Sequence, residues 1–241
     1  MLNARRAAGT AMLVGGLLSV MVTGALGAGD SVQTTLKFSP SKPKASQKGT
    51  QVQLTWAMAI TGAGGARPAN LATADLLLPP GFTANGAGFA TCPTATIEAN
   101  DVKNCPATSV IGHATGHINV QPIQDPTMET TGTIYATKAK AGKPPEADIF
   151  YTVTEIPSAH AIAEIRFVKS GKRWKVRYIL PDLPTAPGLP NATPVDSTIT
   201  FDSKGSKGYL LRTTKACKGM KLPSKTTFHD GSSAKSVAKA C

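Results

Sequence analysis

From Val32 onward, apolar and polar side chains alternate in short runs separated by Gly, Pro, Asn and Ser, and no amphipathic helix of useful length is visible. Alternation with period two puts successive side chains on opposite faces of a strand, so a chain built this way has to pair strands about a shared apolar face. The expected strands are 32–38, 51–60, 72–78, 109–120, 131–137, 148–154, 161–169, 172–180, 197–201 and 207–214, with weaker runs at 226–229 and 234–240. The last of these, rich in Ala and Lys, also fits a single helical turn. Many short strands without helices imply an all-β fold, an antiparallel β-sandwich of immunoglobulin-like or jelly-roll-like type. The 23 Gly and 18 Pro follow no three-residue period, which excludes a collagen-like fibre, and a hydrophobic fraction of 41% suffices for a core.

Ahead of the strands stands an export signal. Arg5 and Arg6 precede a stretch from Ala7 to Ala28 that carries no charge and has Leu17, Leu18, Val20, Met21 and Val22 at its heart. Ala25 and Gly27 supply the small residues a signal peptidase needs, so residues 1–27 read as a signal peptide and 28–241 as one secreted domain. Retention as a membrane anchor is the competing reading, weakened by five glycines in the segment. After cleavage no further transmembrane run remains. Pro-rich stretches at 121–126 and 181–194 are loops or linkers, and a division into two lobes near 121–145 is the alternative to a single domain.

In an oxidising compartment, Cys92, Cys105, Cys217 and Cys241 read as two disulfides. Of three connectivities the sequential one, 92 with 105 and 217 with 241, is favoured, because Cys241 is the last residue and a chain end frays unless tethered. Neither pair has the spacing of a zinc site, so no metal and no cofactor is expected.

Ser170-Gly171 fits a two-residue hairpin turn. Phe167 would then face Trp174, Ile165 face Val176 and Ala163 face Tyr178 as a core stripe. The other face would carry Glu164, Arg166, Arg173, Lys175 and Arg177, with Arg166 opposite Lys175 and Glu164 opposite Arg177. Residues 203–241 hold nine cations against one acid, Asp230, and so account for +8 of the formal +12. The candidate anion-binding set is therefore Arg166, Arg173, Lys175 and Arg177 with Lys215, Lys218 and Lys221. Only Tyr209 and Phe228 interleave with the C-terminal cations, too few for a stacking platform, so no specific nucleic acid is expected.

Catalytic motifs are missing: no Gly-x-Ser-x-Gly elbow, no His-Glu-x-x-His, no phosphate loop. His113 and His117 stand four apart in a strand-like run, about 13 Å, too far for one ion. His160 and His229 are isolated.

The segments Thr35–Pro43, Leu77-Leu78-Pro79-Pro80-Gly81-Phe82 followed by Cys92, Cys105-Pro106-Ala107-Thr108-Ser109-Val110-Ile111-Gly112, and Lys215-Ala216-Cys217-Lys218-Gly219 with a terminal Cys together resemble a group of secreted, β-rich actinobacterial proteins of unknown function. The resemblance implies an extracellular all-β domain with paired cysteines and implies no activity. The expectation is a non-catalytic protein that binds or scaffolds at the cell envelope, its partners anionic envelope polymers or another extracellular protein. A polyanion-binding module and an extracellular hydrolase with an unrecognised site are the alternatives.

Overall fold

Alternating strands bury one face only when the sheet they form can close over it, and this sheet does so by curling. In the computed structural model, residues 29–121, 127–140, 143–156, 158–183, 191–217 and 219–240 are described. The strands are β1 (Ser31–Ser39), β2 (Thr50–Thr61), β3 (Leu71–Leu77), β4 (Phe82–Ala84), β5 (Val110–Asn119), β6 (Met128–Lys138), β7 (Glu146–Val153), β8 (His160–Ser170), β9 (Arg173–Ile179), β10 (Thr193–Phe201), β11 (Lys204–Gly205), β12 (Gly208–Tyr209), β13 (Leu211–Thr213), β14 (Met220–Phe228) and β15 (Ser233–Ala240). Thirteen form one antiparallel sheet in the order β15-β14-β3-β9-β8-β7-β6-β5-β10-β2-β13-β4, with β1 on the free flank of β2, while β11 and β12 make a separate ribbon.

The sheet bends round until β1 lies beside β15, where the Thr34 and Ser236 hydroxyls share a hydrogen bond of 2.6 Å. Opposite stretches thus face each other as the two layers of a sandwich do, joined by continuous hydrogen bonding. Phe167 of β8 meets Phe201 of β10 across the interior, their ring centroids 5.8 Å apart. One core draws on strands from both ends of the chain, with Trp56, Leu76, Ile134, Ile165, Phe201 and Phe228 fully buried. Strands before residue 121 and after residue 145 belong to the same sheet and the same core.

Three details depart from the sequence reading, the first being that the expected strand 207–214 is broken into β12 and β13, which belong to different sheets. The β8–β9 hairpin turns at Gly171-Lys172, so that Ser170 pairs with Arg173, Phe167 with Val176 and Arg166 with Arg177. Gly171 has φ of 57°, a first central position that only glycine fills easily in a primed hairpin turn. A shift of two residues keeps every side chain on its expected face, which is why apolar alternation alone does not distinguish the registers. The run at 234–240 is a strand and not a helical turn, because Ser233–Ala240 pairs with β14 along its length.

The chain between β4 and β5 folds back over the outer surface of β6–β8. A disulfide joins Cys92 to Cys105 and holds the short helix α1 (Thr94–Glu98), whose Ile97 packs on Phe150 in a small second core. Cys217 is buried and no described cysteine is free; the expected partner, Cys241, lies outside the described residues. The signal segment 1–27 also lies outside them.

Candidate anion-binding face

The four hairpin cations are brought onto one outer surface, as expected, yet each is already engaged. Arg173 donates from Nε to the Leu78 carbonyl at 2.7 Å and from Nη2 to that of Leu77 at 3.3 Å, closing the end of β3. Arg177 grips Asp75 with two bonds, 2.7 and 2.9 Å, and Lys175 donates to the same carboxylate at 2.7 Å. Arg166 donates through Nε to Glu164 at 2.7 Å, so Glu164 neutralises its neighbour in the same strand and not Arg177. Two arginines that stand directly opposite in β8 and β9 are therefore each held by a separate acid, which relieves a pairing that would otherwise repel.

Asp75 is the residue that sequence reasoning missed. It is the only charged residue of β3, placed on the outward face by the alternation of Leu71–Leu77, and it stands opposite Arg177 on one side and Lys225 on the other. Burial pushes its carboxyl up, but hydrogen bonds from Arg177 and Lys175, together with their charges, outweigh this and leave it below the ordinary carboxylate value. A lone acid in an otherwise apolar-alternating run was the available signal.

The C-terminal cations are arranged differently. In the β14–β15 hairpin Lys221 stands opposite Lys239 and Lys225 opposite Lys235, all four exposed. Between the two pairs sit Pro223 and Val237, the latter half exposed at 50%. Directly opposed side chains have Cβ atoms about 5 Å apart, so each pair is a like-charge contact in the class that costs a sheet several tenths of a kcal/mol. Among the described residues no acid lies within ion-pair reach of any of the four. Of the other expected residues, Lys215 is exposed in the turn after β13, and Lys218 lies outside the described residues.

A concavity of about 550 Å³ opens between α1 and the outer surface of β7 and β8, lined by Glu98, Asp148, His160, Glu164 and Arg166 among others. Asp148 is buried and accepts a 2.8 Å bond from Thr94 Oγ1, which fastens the disulfide loop to the sheet. Burial pushes its carboxyl above the usual range, and Glu164 and Glu98 add to this against the Thr94 bond. His160 stacks on Phe150 and its Nδ1 lies 3.4 Å from the Ser158 carbonyl. His117 pairs with Asp196 at 2.9 Å on the surface, and His229 Nε2 lies 3.1 Å from the Leu180 carbonyl. Among the described residues no serine or threonine hydroxyl is hydrogen-bonded to a histidine ring, and no group of three His, Cys, Asp or Glu is disposed to hold a metal. No helix among them is long and apolar enough to cross a membrane.

No protein-family model matches the chain, and it matches neither a curated protein nor a solved structure.

Proposed function

We propose that this is an exported, non-catalytic protein of the cell envelope that adheres to an anionic polymer through the outward face of β14 and β15. The observation that carries this reading is the pair of cross-strand lysine contacts, Lys221 with Lys239 and Lys225 with Lys235; none of the four lysines forms an ion pair among the described residues, and Asp75, the acid opposite Lys225, is held by Lys175 and Arg177. The hairpin cations expected from the alternation of the two hairpin strands have internal partners and serve the fold. The unmatched lysines present four mobile charges on a rigid ladder, and a bound anion relieves the repulsion between them.

Replacing Lys221, Lys225, Lys235 and Lys239 together by Gln removes four charges and two repulsive contacts, so the variant folds at least as well as the parent. On a phosphate-bearing resin at pH 7 the parent elutes late and the variant at distinctly lower salt, since each lost phosphate contact flattens the salt dependence by about one unit of slope. Co-elution of the two proteins overturns the assignment.

A further inference from the structure

The two flanks of the curled sheet meet at β1 and β15, and the topology fixes how. Every pairing around the sheet is antiparallel, and ten such steps lead from β15 through β14, β3, β9, β8, β7, β6, β5, β10 and β2 to β1. An even number of reversals brings the direction back, so β1 and β15 run the same way. Among the described residues no ladder joins them, and the Thr34–Ser236 hydrogen bond spans the junction. Both hydroxyls lie on the inward side of their strands, between Val32 and Leu36 on one strand and beside buried Ala238 on the other. With Thr34 level with Ser236 and the strands parallel, Lys37 comes level with Lys239, three residues further along each, and both side chains are exposed. Lys239 in turn stands opposite Lys221.

We infer that Lys37, from the first strand of the chain, completes the lysine face, and that its occupant is a flexible, phosphate-rich linear polymer lying across the unladdered junction and clasping β1 to β15. This rests on the anion-docking reading above. Three lysines in a row across three neighbouring strands, and two more in the row below, place cations about 5 Å apart across the β14–β15 ladder and about 13 Å apart along the strands, with Lys37 beyond the junction. The outward faces of β1, β14 and β15 carry no acid and no aromatic ring, so they complement closely spaced negative charge and offer nothing on which a nucleic-acid base would stack. A single exposed Val237 gives no apolar wedge for a lipid surface. Contacts on both sides of a junction that the backbone does not stitch make binding stabilise its closed form.

The test uses the protein from residue 28 onward and long-chain inorganic polyphosphate. Lys37→Gln is expected to weaken binding about three- to tenfold and lower the salt slope by about 0.7, much as Lys239→Gln does, whereas Lys103→Gln in the disulfide loop over β6–β8 leaves it unchanged. Hydrogen exchange should slow at β1 and β15 amides when polyphosphate is added. If Lys239→Gln weakens binding while Lys37→Gln does not, and seam exchange stays as it was, the clasp is overturned and the docking face stands. If neither substitution alters binding, both fall. Tighter binding to anionic phospholipid vesicles than to polyphosphate at matched phosphate also overturns the assignment of a polymer.

Discussion

Asp75 holds the outer surface of β3 and β9 together, and replacing it by Asn offers a test of how that surface is balanced. The substitution keeps the shape and removes one negative charge, leaving Lys175 and Arg177, formerly at 2.7 Å, and Lys225 across the ladder with no acid among them. The Asp75 and Lys175 side chains are 16% and 21% exposed and that of Arg177 is 37% exposed, so the cluster is neither a surface pair nor a dry one. Exposed pairs contribute at most about 1 kcal/mol, and breaking a fully buried one costs about 3–5, which puts this loss at about 2–3 kcal/mol. In a domain of this size that lowers Tm by roughly 5–10 °C. The pH dependence fixes the cause. Because the folded carboxyl lies below its unfolded value of about 3.9, its contribution is fully present above that value and disappears as pH falls through the folded one. The gap between parent and variant, followed by urea or thermal unfolding, is therefore widest at pH 7 and closes below about pH 4. A Tm at pH 7 within 2 °C of the parent, or a gap that persists undiminished in acid, refutes the reasoning. The same variant should bind the phosphate resin more tightly, since it frees two cations beside Lys225.

Lys235→Glu converts a like-charge contact with Lys225 into an attractive one, so it should raise stability by about 0.5–1 kcal/mol in urea titrations while advancing elution from the phosphate resin; both quantities moving down together would contradict it. Thr226→Val removes a buried hydroxyl, 1% exposed, that has no hydrogen-bond partner among the described residues, and is expected to stabilise by about 1 kcal/mol; a loss of that size would show that the hydroxyl is satisfied. Asp148→Asn should be at least as stable as the parent at pH 7 and lose that advantage below about pH 4. The folded carboxyl lies above its unfolded value, so the parent loses stability as pH rises from that value through the folded one. A variant clearly less stable at pH 7 and equal in acid would reverse the sign.

The strands were legible because alternation reports burial directly: Val32, Leu36 and Phe38, or Leu54, Trp56 and Met58, fall on the core side of β1 and β2. What alternation lacks is pairing across long separations. Asp75 meets its cations a hundred residues downstream, and the side-by-side arrangement of Lys37 and Lys239 follows only from the order of the whole sheet. The loop around α1 escaped notice since Thr94–Glu98 is too short to show a helical period, although the Cys92–Cys105 bond that holds it agrees with the sequential pairing expected from tethering the chain end. The charge count could not separate cations held by Asp75 and Glu164 from those left open to solvent.

Because β1 and β15 run in the same direction, the chain enters the sheet at one pole and leaves it at the other. Tension applied between those two points would slide each terminal strand lengthwise along its neighbour, β1 along β2 and β15 along β14. Loaded that way, the backbone bonds of a ladder share the force and must yield together, whereas a hairpin pulled from one end opens one bond at a time. A protein held at one pole and fixed to a polymer along its side would carry mechanical load in the direction its sheet resists best.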